Sequence, residues 1–108
     1  MIQLFRKDDT LFAVQTAAAL DRSAIDKLCW LFGDAEWLDV SSVSGIFVGP
    51  RREMITPWST NAVEITQNMG IDGIVRIEEF RMVDSEAAPY DKMLYRMYRT
   101  LDGDVFTI

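Results

Sequence analysis

A chain of 108 residues, 49% hydrophobic and 26% charged, has the size and balance of one folded domain and too much apolar content for a disordered one. Its 11 Lys+Arg against 17 Asp+Glu leave a net charge of −6, which a phosphate backbone would repel, so no nucleic-acid partner is expected. Histidine is absent altogether, which removes the commonest general base, the commonest metal ligand and every Ser-His or Cys-His nucleophile pair.

The chain opens "MIQLFRKDD", without the basic start and apolar core of a signal peptide. No 18-residue apolar run follows anywhere, so no membrane span is expected and a cytoplasmic setting fits best. "IQLF" and "LFAVQT", separated by the charged turn Arg6–Asp9, read as an antiparallel hairpin. The period then changes. In "DRSAIDKLCWLFGD", Ile25, Leu28, Cys29 and Phe32 fall at helical spacing, with Ser23 and Asp26 as a capping box and Gly33 as the stop. Cys29, the single cysteine, can form no intrachain disulfide and reads as a small buried hydrophobe in the helix stripe.

"AEWLDV" and "SGIFVG", split by a Ser-rich link, suggest two further strands paired with each other. Asp34 and Glu36 are spaced as solvated surface carboxylates. A second helix starts at Thr56-Pro57, a hydroxyl at the cap and a proline at the first helical position, and stops at Gly70. "GIVRIEEFRMV" is the longest strand candidate, and a third amphipathic helix is expected from about Asp91 to Leu101. "LDGDVFTI" passes a helix stop at Gly103 and begins a new β-like run, Val105–Ile108. That ending predicts a boundary inside a longer protein.

From Leu11 to Val83 the order is strand, helix, strand, strand, helix, strand. This is the α+β, ferredoxin-like split βαβ pattern, with both helices on one face of an antiparallel sheet. Residues 1–108 read as a single domain.

The loop between the second strand pair and the second helix, "GPRREMITPWS", carries more chemistry than a turn needs. Arg51 and Arg52 stand beside a helix N-terminus flanked by the hydroxyls of Thr56, Ser59 and Thr60, a collection able to hold a phosphate or carboxylate. A plainer account is open beside it: Thr56 caps, Trp58 packs into the core, and the arginines pair with Glu53, Glu64 or another carboxylate. Arg76 and Glu78, two apart and so on one face of a strand, read by spacing as a surface charge pair.

At these residues the sequence resembles the N-terminal segment of the large, single-chain phosphoribosylformylglycinamidine synthases, the glutamine amidotransferases of purine biosynthesis. The likeness rests on Pro50-Arg51, Pro57-Trp58-Ser59, Ala62 and Ile65, Asn68-x-Gly70 and Arg76-x-Glu78, in that order. Other members carry different residues, including proline and glycine, where this chain has Arg52-Glu53-Met54, so Arg51 is the firmer functional position. The resemblance implies a multidomain parent, a ligase that uses ATP and glutamine to convert formylglycinamide ribonucleotide to the amidine. ATP and magnesium would sit in its central synthetase domains, and the cysteine nucleophile in a glutaminase domain. The segment itself would be a PurS-like scaffold with no catalytic group, cofactor or metal, docking those two domains and supporting ammonia transfer. Pro50, Arg51, Arg52, Thr56, Pro57, Trp58, Ser59, Arg76 and Glu78 would then contact a neighbouring domain or the edge of the substrate site. A domain cut from its partners could also self-associate through an exposed sheet edge. The alternative is a free-standing ferredoxin-like binding or regulatory module with an anion at the Arg51 loop.

Overall fold

The computed structural model describes residues 1–107. Six strands and two helices follow one another as β1 (Ile2–Lys7), β2 (Thr10–Thr16), α1 (Arg22–Leu31), β3 (Glu36–Leu38), β4 (Ser42–Pro50), α2 (Pro57–Asn68), β5 (Ile74–Met82) and β6 (Tyr95–Asp102). The strands form one antiparallel sheet in the order β3-β1-β2-β5-β4-β6. The architecture is α+β and consistent with a ferredoxin-like split βαβ, with β2 and β5, the first and last strands of the split unit, side by side.

Alternation along the strands assigns the two faces. Phe5, Phe12, Val14 and Ile77 point to one side, where Ile25 and Leu28 of α1, Phe32 at its C-cap and Ala62 of α2 close over them. Phe12 and Phe32 stack there with ring centroids 4.2 Å apart. Leu4, Leu11, Ala13 and Phe80 point to the other side, into a second cluster with Phe47, Tyr98, Leu101 and Val105. Among the described residues no helix covers that cluster. The sheet covers it by curling: Leu38 to Ser42 can span at most ~14 Å, whereas a flat sheet would set β3 and β4 ~19 Å apart. Leu38 of β3 and Val43 of β4 accordingly pack against the same cluster.

The local signals act as their chemistry dictates at α2. Thr56 is its N-cap, accepting from the Ser59 amide at 3.0 Å, and Pro57 occupies the first turn. Gly70, at φ 80°, turns the chain out of the helix, as Gly33 at φ 77° does after α1. The cap of α1 is a correction. Asp21, not Ser23, accepts the Ala24 amide at 2.8 Å, while Asp26 pairs with Arg22 one turn away. A carboxylate is the stronger acceptor for a helix N-terminus, and the helix begins two residues earlier for it.

Three expectations about strands and helices fail. The runs around Trp37 and Ile46 do not pair with each other. β3 pairs with β1, with Phe5 opposite Trp37, and the Trp37 indole N–H donates to the Gln3 side chain at 3.1 Å. The segment expected as a third helix is β6, paired along β4 from Ser42↔Asp102 to Pro50↔Tyr95. An open edge of β4 offers ladder hydrogen bonds that outweigh a local helical pattern. Tyr98 and Leu101, three apart, mimic a helix stripe; both reach the second cluster where the β4–β6 register shifts between Ser44 and Phe47. Finally, Val105 to Thr107 form turns rather than a strand, and Ile108 lies outside the described residues. Val105, 1% exposed, caps the second cluster together with Phe106. Cys29 is partly rather than fully buried, and burial pushes its thiol pKa up.

Candidate functional site

β4 and β5 are paired only at Phe47↔Met82 and Val48↔Arg81. Beyond Val48 the two strands part, and the segment Arg51–Thr56 fills the gap alongside β5. Close approach at the parting point requires a glycine: a Cβ on Gly49 would lie 2.2 Å from the Phe80 ring.

The gap is held shut by an ion pair within β5. Arg76 Nε donates to Glu78 Oε2 at 2.9 Å, and the two side chains are 4% and 1% exposed. This corrects the expected surface pair. The remaining guanidinium donors reach the carbonyls of Arg52 (2.8 Å), Arg51 (3.1 Å) and Met54 (2.8 Å), and the guanidinium lies over the Phe106 ring. Glu78 in turn accepts from the Thr56 amide at 3.2 Å and the Thr56 hydroxyl at 2.6 Å. A carboxylate therefore already stands at the N-terminus of α2, where the helix dipole favours a negative charge. Ser59, fully buried, donates nothing outward; its Oγ accepts the Ile77 amide at 3.0 Å and closes the edge of β5 that β4 leaves open.

The two loop arginines also reach groups within the chain. Arg51 pairs with Glu53 at 2.7 Å and donates Nη1 to the Lys92 carbonyl at 3.1 Å. Arg52 donates to the Val105 carbonyl at 2.9 Å and lies over the Tyr98 ring. Pro50 is buried at the end of β4, its carbonyl accepting the Tyr98 hydroxyl at 2.5 Å. Glu53 is held below the usual carboxylate range, chiefly by its hydrogen bond from Arg51. All of the sequence-predicted residues thus gather at one place, but most face inward.

Trp58 and Pro57 face outward. Trp58 is 40% exposed, its ring stacked toward Phe12 at 6.4 Å rather than lodged in the core. It forms one wall of an open groove of about 700 Å³ on the helix side of the sheet. Thr10, Val48, Glu79 and Arg81 lie on the floor, Met54 to Trp58 make one wall, and Tyr90, Asp91, Leu94 and Tyr95 make the other. Met54, Ile55, Leu94 and Tyr95 are 48%, 60%, 52% and 42% exposed, so with Trp58 the groove is lined by five apolar side chains open to solvent; others, Trp30 and Met93 among them, are exposed elsewhere on the surface. Desolvation raises the Glu79 pKa above its ordinary value, with the neighbouring Glu78 charge adding to the effect.

Sequence reasoning missed the second wall. Leu94 and Tyr95 fall inside the segment expected as a third helix, and nothing in the local pattern singles out Glu79 between Glu78 and Phe80. The signal available was the Tyr90 to Tyr95 stretch itself, aromatic and apolar directly after the turn-forming Pro89.

The chain matches the family model described as formylglycinamide ribonucleotide amidotransferase N-terminal over residues 9–102. The chain belongs to this family. Its parent enzymes are amidotransferases of purine biosynthesis. Comparisons with curated proteins and with solved structures give no match. Among the described residues of this amidotransferase N-terminal domain, no helix is long and apolar enough to cross a membrane.

Proposed function

We propose that this chain is a non-catalytic docking domain of a cytoplasmic formylglycinamide ribonucleotide amidotransferase. It holds the synthetase and glutaminase parts of its parent together, so that ammonia released from glutamine reaches the ribonucleotide without loss. ATP, magnesium and the nucleophilic cysteine belong to those other domains.

One observation carries this reading. At the site where the family motif residues converge, Arg76, Glu78, Thr56 and Ser59 spend their hydrogen bonds inside the chain, while Met54, Ile55, Trp58, Leu94 and Tyr95 are turned out. An anion or small polar substrate would need free donors. A protein surface needs apolar anchors in a formed groove.

The test is Arg51→Ala in the full-length amidotransferase. Arg51 ties the two walls together through the Lys92 carbonyl, so its loss should loosen the groove and leave the domain folded. Glutamine hydrolysed per amidine formed should then rise. An unchanged ratio, with unchanged assembly of the enzyme, would remove the reading. Calorimetry of the isolated chain with phosphate or ATP should give no binding heat.

A further inference from the structure

The groove beside Trp58 carries a charge pattern that the docking role does not by itself require. Glu79 lies on its floor and Asp91 on one wall; among the described residues Arg81 is the one lining cation, and it makes no ion pair within 4.0 Å. Among the described residues Glu79 makes no ion pair within 4.0 Å, and Asp91 uses its carboxylate only to accept the Met93 amide at 2.9 Å. The walls are set in place before any partner arrives: Arg51 bridges to Lys92, and Trp58 is backed by Phe12.

We propose that this groove receives a basic, apolar segment of a partner polypeptide, its apolar side chains lodged between Trp58 and Leu94 and its Lys or Arg placed on the Glu79 carboxylate. The assignment rests on the docking reading above and names the chemistry of the partner. Charge selects the occupant. A second copy of this chain would bring a net charge of −6 against another −6, and an anionic lipid surface would be repelled in the same way. A basic segment is attracted at long range by the whole domain and then desolvated beside one unpaired carboxylate, the arrangement that favours a specific cation. An uncharged apolar segment would leave Glu79 buried without a partner.

The experiment selects a library of random dodecapeptides on the immobilised chain. Enriched sequences should carry Lys or Arg close to Leu, Met or an aromatic residue. The best of them should bind about five- to tenfold more weakly to Glu79→Gln, and Leu94→Asp should abolish binding. Both positions are exposed, so both variants should keep the parent circular dichroism. Repeating the selection on Glu79→Lys should turn the preference to acidic peptides. Acidic or charge-free sequences from the original chain, or affinities indifferent to both variants, would overturn the proposal. So would a dimer in sedimentation that Leu94→Asp disperses, since the occupant would then be a second copy.

The two readings fail separately. If basic peptides bind the groove while Leu94→Asp leaves coupling in the full-length enzyme intact, the docking role falls and the groove assignment stands. If Arg51→Ala uncouples the enzyme but no basic peptide is selected, the reverse holds.

Discussion

Arg76 and Glu78 form a buried ion pair across one pleat of β5, 2.9 Å from Nε to Oε2, and between them they hold the whole Arg51–Thr56 segment. Few of their hydrogen-bonding positions are left for anything outside the chain. The guanidinium serves three backbone carbonyls and the carboxylate serves the cap of α2. A pair so placed is costly to half-remove, because the survivor stays buried without its counter-charge. Glu78→Ala should lower stability by about 3–5 kcal/mol, and Arg76→Lys, which keeps the charge and loses the fork, by about 1–3 kcal/mol. Denaturant melts of the isolated chain measure both. A loss below about 1 kcal/mol for Glu78→Ala would mean the pair is solvated after all.

Ser59 supports the same gap from the helix. Its Oγ is the partner of the Ile77 amide at 3.0 Å, where β5 has no neighbouring strand to accept that hydrogen. Ser59→Ala leaves a buried N–H unpaired and should cost about 1–3 kcal/mol. Amide exchange gives the sharper readout: protection at Ile77 should fall much further than at Val14, which faces it from β2.

What was legible in the sequence followed from local chemistry. Thr56-Pro57 caps α2, Gly33 and Gly70 end helices, and "LFAVQT" and "IVRIEEFRM" are strands because each signal acts on its own neighbours. What was hidden depended on who stands beside whom. Arg76-x-Glu78 is spaced identically on a solvated strand and on one roofed by a loop, and only the parting of β4 from β5 decides between them. Tyr95–Asp102 carries a helical pattern and becomes a strand because β4 offers an edge. The motif residues were found, yet their orientation was not. Trp58, a core candidate by size, faces out because Phe12 and Phe32 already fill the space beneath it.

Gly49 and Phe80 set how closely β4 can pass β5. With a Cβ on Gly49 only 2.2 Å from the Phe80 ring, Gly49→Ala forces the ring or the strand to move and should cost about 1–3 kcal/mol. Phe80→Leu alone should also destabilise, by about 1–2 kcal/mol. Combined, the two should cost less than their sum, because the smaller side chain makes room for the methyl; a coupling of about 0.5–3 kcal/mol is expected for residues in contact. Strict additivity in a double-mutant cycle would show that the close approach does not constrain the sheet.

Glu79 gives the domain a pH dependence of defined sign. Its folded pKa is raised above the ordinary 4.5 by desolvation, with the Glu78 charge adding to the effect. The folded state therefore holds this proton more tightly than the unfolded chain does. Stability linked to Glu79 is greatest below 4.5 and is lost as pH rises through the higher folded value. Glu79→Gln removes the ionisation, so the variant should be more stable than the parent at neutral pH. The gap should close as pH falls to about 4, because there the parent carboxyl is itself protonated. Thermal melts of the two proteins across that range measure the gap. A basic peptide seated in the groove should reverse the sign, since a cation on Glu79 favours the ionised form, and parent melts recorded with the peptide should then lose their advantage at acid pH.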